Sequence, residues 1–358
     1  MKASSSYSID LVWKSLLSII LFFYGVYTAK SILIPIVLSF FLSIILNPIV
    51  SFFERKGINT VLSIVITLLL LILLLGGGLF YISIQARSLI NDLPNLLERL
   101  NSFIESTSDS LSNFLGLSSQ EPIELLKENA NELITTGSSF FGDALSLTSD
   151  FISFITLVPI YLFFMLLFRD NFKLFLKRLG DRNKSNLSQI ATEIKEMVHN
   201  YIVGLFIVIF IVALLNTIGL LALGLEYALF MGVVSAILTI IPYIGIFIGG
   251  LLPVIVALLT KDSLLYPLAV IGIVAIVQFL EGNFITPKIV GSKVDVNPLA
   301  AIVALIIGGQ VWGIVGMILA IPLTGITKII FSHYKHLQPY AILLQSKEVK
   351  NNEQTKGE

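Results

Sequence analysis

Gln278 and Glu281 stand one helical turn apart, so on a helix an amide donor and a carboxylate share a face. Asn283 follows, and the ribbon that holds all three, residues 278–299, continues through Lys288, Lys293, Asp295 and Asn297. Residues 263–280 lead into it without a charge, and residues 296–327 carry none either. A carboxylate at the mouth of so apolar a helix is a candidate site for a substrate or a coupling ion. The plainer reading is a helix end that reaches the headgroups, with Glu281 and Lys288 solvated. Other polar side chains within apolar runs are Asn216, Thr239, Tyr243 and Gln310. Amides, hydroxyls and open backbone ends suit a small, neutral, hydroxyl-rich solute or a dehydrated monovalent cation, and do not suit a large lipid. Asn216 and Thr239 read more readily as interhelical hydrogen bonds. The candidate substrate-binding set is therefore Tyr243, Gln278, Glu281, Asn283 and Gln310.

Signatures of covalent or metal chemistry are missing from the sequence. It contains no GxxxxGK[ST] loop, no HExxH and no GxSxG, which argues against an enzyme and against nucleotide-driven transport. Zero cysteines remove disulfides, thiolate chemistry and iron-sulfur clusters. His333 and His336 share a helix face, yet zinc would need further ligands there, so no metal and no cofactor is expected.

The elements that must position these residues are membrane helices. Hydrophobic residues make up 56% of the 358, charged residues only 13%, and mean hydropathy is +0.92, which describes an all-α polytopic membrane protein. Lysine plus arginine (23) equals aspartate plus glutamate (23), so nothing points to nucleic acid. Residues 1–86 hold three spans: Leu11 to Ala29, Ile32 to Phe53 with an interruption at Asn47-Pro48, and Val61 to Ala86. In the third, Gly76, Gly77 and Gly78 permit either close packing or a bend. Lys2 is the only basic residue ahead of the first span and no small-residue cleavage site follows cleanly, so it does not read as a cleaved leader.

Residues 87–150 carry three basic residues against ten acidic ones and place leucine and isoleucine at helical spacing: Leu89, Leu93, Leu96, Leu97 and Leu100, then Ile123, Leu126, Leu133 and Ile134. They read as an extramembrane module of amphipathic helices joined near Leu115 to Pro122. Residues 151–200 hold a fourth span, Phe151 to Phe168, and a basic segment from Arg169 to Lys195. The positive-inside rule makes that segment cytoplasmic, with both termini and the tail, residues 332–358, on the same side. Leu187, Ile190, Ala191, Ile194, Met197 and Val198 form a stripe leading into the span at Tyr201 to Leu223, which either lies along the inner surface or packs on other helices.

Within the transport core, residues 201–331, two uncharged runs have the wrong length. Residues 227–260 would make a straight helix of about 51 Å against a hydrocarbon core of about 30 Å, but are short for two full spans. Pro242-Tyr243-Ile244-Gly245 sits at the middle; residues 296–327 repeat the arrangement with Gly308, Gly309, Gly313 and Pro322. Helical hairpins turning at membrane depth are the simplest solution, with tilted single spans as the alternative, and such Gly/Pro-interrupted pairs point to a transporter's substrate site. The expected architecture is about six full transmembrane helices plus two hairpins. Asn283, Thr286 and Pro287 are expected to end the helix that enters the ribbon.

Several of these segments carry a family resemblance. Leu46-Asn47-Pro48-Ile49-Val50, Pro242-Tyr243-Ile244-Gly245, Gln278 to Asn283 with Pro287-Lys288-Ile289-Val290-Gly291, Asn297-Pro298-Leu299, and Gly308-Gly309 through Gly313-Ile314-Val315-Gly316 to Ala320-Ile321-Pro322 resemble the autoinducer-2 exporter (AI-2E) family of bacterial membrane transporters. The similarity covers residues 10–335 in helix order; residues 87–150 match by position and length only. It implies homo-pentamers whose protomers work alone, a substrate site formed by the two hairpins and an elevator-type movement in the bacterial cytoplasmic (inner) membrane. Family cargo includes the autoinducer-2 signal and, in other members, sodium or lithium exchanged for protons. Export of a small polar molecule is thus the leading expectation. A cation/proton antiporter using Glu281 is the nearest rival, and a scaffold that moves nothing is the third.

Overall fold

The computed structural model describes residues 4–115, 149–183, 187–241, 244–261 and 263–346. Long uninterrupted apolar sequence dictates helices, since in lipid every amide must be satisfied within its own segment. Accordingly the described residues form helices joined by short turns, with an isolated antiparallel bridge between Val296 and Gln345. Its helices are α1 (Ser4–Thr28), α2 (Lys30–Arg55), α3 (Thr60–Leu115), α4 (Ser149–Leu167), α5 (Arg169–Asn183), α6 (Leu187–Ala222), α7 (Ala228–Leu238), α8 (Ile244–Thr260), α9 (Leu265–Leu280), α10 (Pro298–His333) and α11 (Gln338–Leu344). By length and composition alone five described helices could cross a membrane, or six if α4 and α5, bent by 60° at their junction, count as one; α10 is among the five but is broken at Trp312 and Gly313. The all-α polytopic expectation holds.

The helices group into two compact units that alternate along the sequence: residues 1–69, 149–204 and 290–358 form the first, and residues 70–148 and 205–289 the second. In the first, α2 packs on α4, and Phe41, Ile44, Leu46 and Val50 of α2 and Val158, Leu162 and Leu166 of α4 are buried. Ser39 Oγ donates to the Val158 carbonyl across that seam at 3.0 Å. The expected interruption at Asn47-Pro48 does not occur, and α2 runs through both Pro35 and Pro48. Leu46 and Val50, buried either side of Pro48, keep the helix on course, as packed neighbours do for proline in membrane helices.

The stripe on residues 187–198 is not a separate helix but the first turns of α6, and Ile190, Met197 and Val198 are buried in protein contacts. Gly325 of α10 lies against Met197 and Val294. Packing on other helices is therefore the correct reading of that stripe.

In the second unit the core is Leu220, Phe230, Met231, Val256, Ala257 and Val270, with Ala86 and Leu89 of α3 packed onto it. Lipid tails are as apolar as these side chains, so dense packing rather than escape from water stabilises the arrangement. Helix α3 does not stop at Ala86 but continues to Leu115, about 84 Å at 1.5 Å per residue. Gly76, Gly77 and Gly78 lie within the continuous helix, and a side chain at any of them would meet nothing within 4 Å among the described residues. The amphipathic segments expected at residues 123–134, with the connection near Leu115 to Pro122, lie outside the described residues beyond Leu115 itself.

Candidate functional site

The two runs of awkward length are both hairpins, built differently. In the second unit, α7 and α8 run about 16 and 26 Å at 1.5 Å per residue, each shorter than a hydrocarbon core. They cross at glycines: Gly249 lies against Ser235, and a side chain at Gly245 would run into the Leu238 carbonyl. Pro253 has no amide to give the carbonyl four residues before it, which is Gly249. Ser235 Oγ, buried on the facing helix, donates to that oxygen instead. The turn, residues 239–241 and on to Ile244, is closed by Ile240 and Ile241 amides donating to the carbonyls of Ile237 and Leu238. Pro242 and Tyr243, expected at this tip, lie outside the described residues.

In the first unit, α10 folds back on itself at Trp312 and Gly313, the latter with φ +61° and ψ −140°, a conformation only glycine adopts at low cost. Residues eight apart on a straight helix lie about 12 Å from one another at 1.5 Å per residue. Here a Cβ built on Gly308 would fall 2.5 Å from the Gly316 carbonyl oxygen, and one on Gly309 2.6 Å from the Met317 methyl. Gly308 and Gly316 are therefore backbone against backbone. Gln310 is exposed two residues before the bend, and Pro322 is buried within the returning arm without breaking it. Trp312 Nε1 donates to the Val26 carbonyl of α1 at 3.1 Å, a tether that no spacing rule would expose.

The ribbon between the hairpins in sequence departs from expectation in an informative way. Pro287 does not end the helix: α9 passes into two π-helical turns, Glu281–Ile285 and Pro287–Gly291, and the Thr286 amide donates to the Glu281 carbonyl five residues back. The wider turn removes the clash a proline ring makes with the carbonyl four residues earlier. Residues 265–291 become one candidate span of 27 residues with Glu281 inside it.

The π geometry also assembles the polar group. Gln278 Nε2 donates to Glu281 Oε2 at 2.6 Å and Thr286 Oγ1 donates to Glu281 Oε1, so both carboxylate oxygens are held by neutral donors. Asn283 turns away and donates to the Phe279 carbonyl at 2.9 Å. Thr286 is thus a partner that α-helical spacing hides, since residues five apart do not share an α-helical face.

The ribbon's other carboxylate is treated differently. Asp295, in a left-handed conformation at φ +48°, receives Lys328 Nζ on its side chain at 2.5 Å and on its own carbonyl at 3.0 Å. Asn297 caps α10 by accepting from the Ala300 amide at 2.8 Å. Its amide donates to the Leu343 carbonyl, and its backbone N–H to that of Leu344, at 2.5 and 2.9 Å, so α11 fastens the joint.

Of the remaining polar candidates, Thr239 donates within its own hairpin to the Ala236 carbonyl at 2.7 Å. Asn216 Oδ1 and Thr217 Oγ1 are buried with no hydrogen-bond partner among the described residues, whereas an interhelical bond was expected at Asn216. Thr217 lies against Gly232 of α7. At the start of α7, the Tyr227 hydroxyl donates to Asp92. His333 Nδ1 faces the Ile329 carbonyl at 2.9 Å and Nε2 faces Glu193 at 3.3 Å. No group of three or more metal-ligating side chains occurs among the described residues.

The chain is similar to known bacterial transport proteins. Residues 16–336 match the model of the AI-2E family transporter. A candidate transport protein of Bacillus subtilis, YueF, is 32% identical over 84% of this chain and 84% of its own. A second from the same organism, YrrI, is 27% identical over 93% of this chain and 92% of its own. The AI-2 transport protein TqsA of Escherichia coli is 25% identical over 89% and 91% of the two chains.

Proposed function

The chain belongs to the AI-2E transporter family, and from that premise we propose that it is a secondary transporter exporting a small polar molecule across the bacterial cytoplasmic membrane. The observation that carries the proposal is the pair of apolar segments that reverse at a tip rather than cross, because broken backbone at membrane depth is kept where it lines a path for solute. Tyr243 and Gln310 gate the path from the hairpin tips. Gln278 and Glu281 contact cargo or a coupling ion, and Asn283 gives up its Phe279 contact to join them. An elevator-type displacement of hairpins within a homo-pentamer is the movement the family resemblance implies. TqsA's name makes autoinducer-2 the first solute to try.

A second reading, exchange of a monovalent cation for protons, is favoured by one observation. The buried, unpaired oxygens of Asn216 and Thr217 are acceptors of the kind a dehydrated cation takes, and Glu281 supplies a carboxylate for the proton. The two readings separate in proteoliposomes of the full chain carrying Glu281→Gln. A neutral-solute exporter keeps most of its autoinducer-2 flux, whereas an antiporter loses pH-driven sodium or lithium exchange. Wild-type vesicles that move neither class of solute sink both readings and favour a scaffold.

A further inference from the structure

Helix α5 has a face that neither transport reading uses. It leaves α4 at 60°, and the turn is fixed at its root by Arg169 pairing with Glu54 at 2.5 Å. Phe172, Phe175, Leu176 and Leu179 follow the i, i+3, i+4, i+7 pattern of a single stripe. Phe172 and Phe175 are 56% and 60% exposed, on a helix whose other residues, unlike those of the spans, are largely polar. Lys173 and Lys177, one turn apart, flank the stripe on one side, and Arg178 flanks it on the other, all three exposed. Beside the stripe lies a groove of about 380 Å³ lined by Asn171, Leu174, Phe175, Arg178 and Leu179. Apolar wall, cation and amide donor occur there together.

We propose that α5 is an interfacial helix that beds Phe172 and Phe175 among acyl chains at the inner surface and binds the headgroup of an anionic phospholipid in the Asn171–Arg178 groove. Charge selects the occupant. A stripe bordered on both sides by cations meets an acidic bilayer surface favourably, with about 1 kcal/mol from each basic residue near it. A neighbouring copy would have to bring matching carboxylates, and Asp170 already accepts from Lys173 at 2.7 Å within the helix. The 60° bend is what turns the stripe from the line of the span toward the bilayer plane. The inference goes beyond transport and does not depend on which solute moves.

The absence of cysteine makes the test clean. Phe175→Cys in the full chain, labelled with bimane, is reconstituted in nanodiscs of phosphatidylcholine containing a fixed fraction of either brominated phosphatidylcholine or brominated phosphatidylglycerol. Quenching by the phosphatidylglycerol should exceed that by phosphatidylcholine at least about threefold, as expected from one to two basic contacts, and the preference should vanish in Lys177→Glu/Arg178→Glu. Phe172→Cys serves as a second reporter if the first variant fails to assemble. Equal quenching by the two lipids overturns the proposal. So does a label reached by aqueous iodide and by neither lipid, and so does one shielded from all three, the signature of a second copy of this chain covering the helix.

Discussion

The two hairpins solve the same problem, reversing an apolar helix within a run of some thirty residues, by different means. In α10 the reversal takes two residues, Trp312 and Gly313, and the arms meet backbone to backbone at Gly308 and Gly316. Between α7 and α8 the described part of the turn is residues 239–241, and a side chain, the Ser235 hydroxyl, donates to the Gly249 carbonyl that Pro253 leaves open. One shape is set by the absence of side chains and by a single left-handed torsion; the other by a hydroxyl and a proline that compensate each other. The α10 turn depends on one left-handed torsion at Gly313, whereas the described part of the α7–α8 turn, residues 239–241, contains none. A tip that rearranges during transport is therefore expected on the α7–α8 hairpin, with the α10 hairpin, tethered by Trp312 to Val26, as the stiffer partner.

The largest break in this contrast comes from Gly316→Val. Its side chain has no room against the Gly308 carbonyl, so the folded yield in detergent should collapse or the loss should be about 3 kcal/mol or more. An intermediate effect is expected from Gly313→Ala, where φ +61° with ψ −140° strains any side chain: about 1–3 kcal/mol in reversible unfolding, with flux reduced in proportion to folded protein. If Gly313→Ala is harmless, the stiff-turn account of α10 is wrong. The smallest effect belongs to Ser235→Ala, about 1 kcal/mol, because interhelical hydrogen bonds in membranes are individually weak. The double variant Ser235→Ala/Pro253→Ala sharpens the contrast, since restoring an amide at residue 253 gives the Gly249 carbonyl its own helical donor. Thermal unfolding of the pair should recover most of what the single variant lost. Additive losses would mean the hydroxyl does something other than replace the missing amide.

Both hairpins were legible from length alone: runs too long for one span and too short for two, with Gly and Pro at the middle. The long course of α3 was not, because the change from apolar to acidic sequence near Ala86 marks a change of surroundings, and a helix can cross it without ending. Pro48 and Pro287 misled for one reason. Proline stops a helix only where nothing else fixes its path, and here Leu46 and Val50 in one case and the π turns in the other keep it going. Gln278 and Glu281 were readable as a pair. Thr286 was not, since it faces Glu281 only after the backbone widens, and Lys328 lies 33 residues from the Asp295 it holds.

Asn297 draws its final partners, the carbonyls of Leu343 and Leu344, from the closing stretch of the described chain. The joint ahead of α10 therefore cannot close until residue 344 has been made, and a chain stopped at Leu337 would lack that seam.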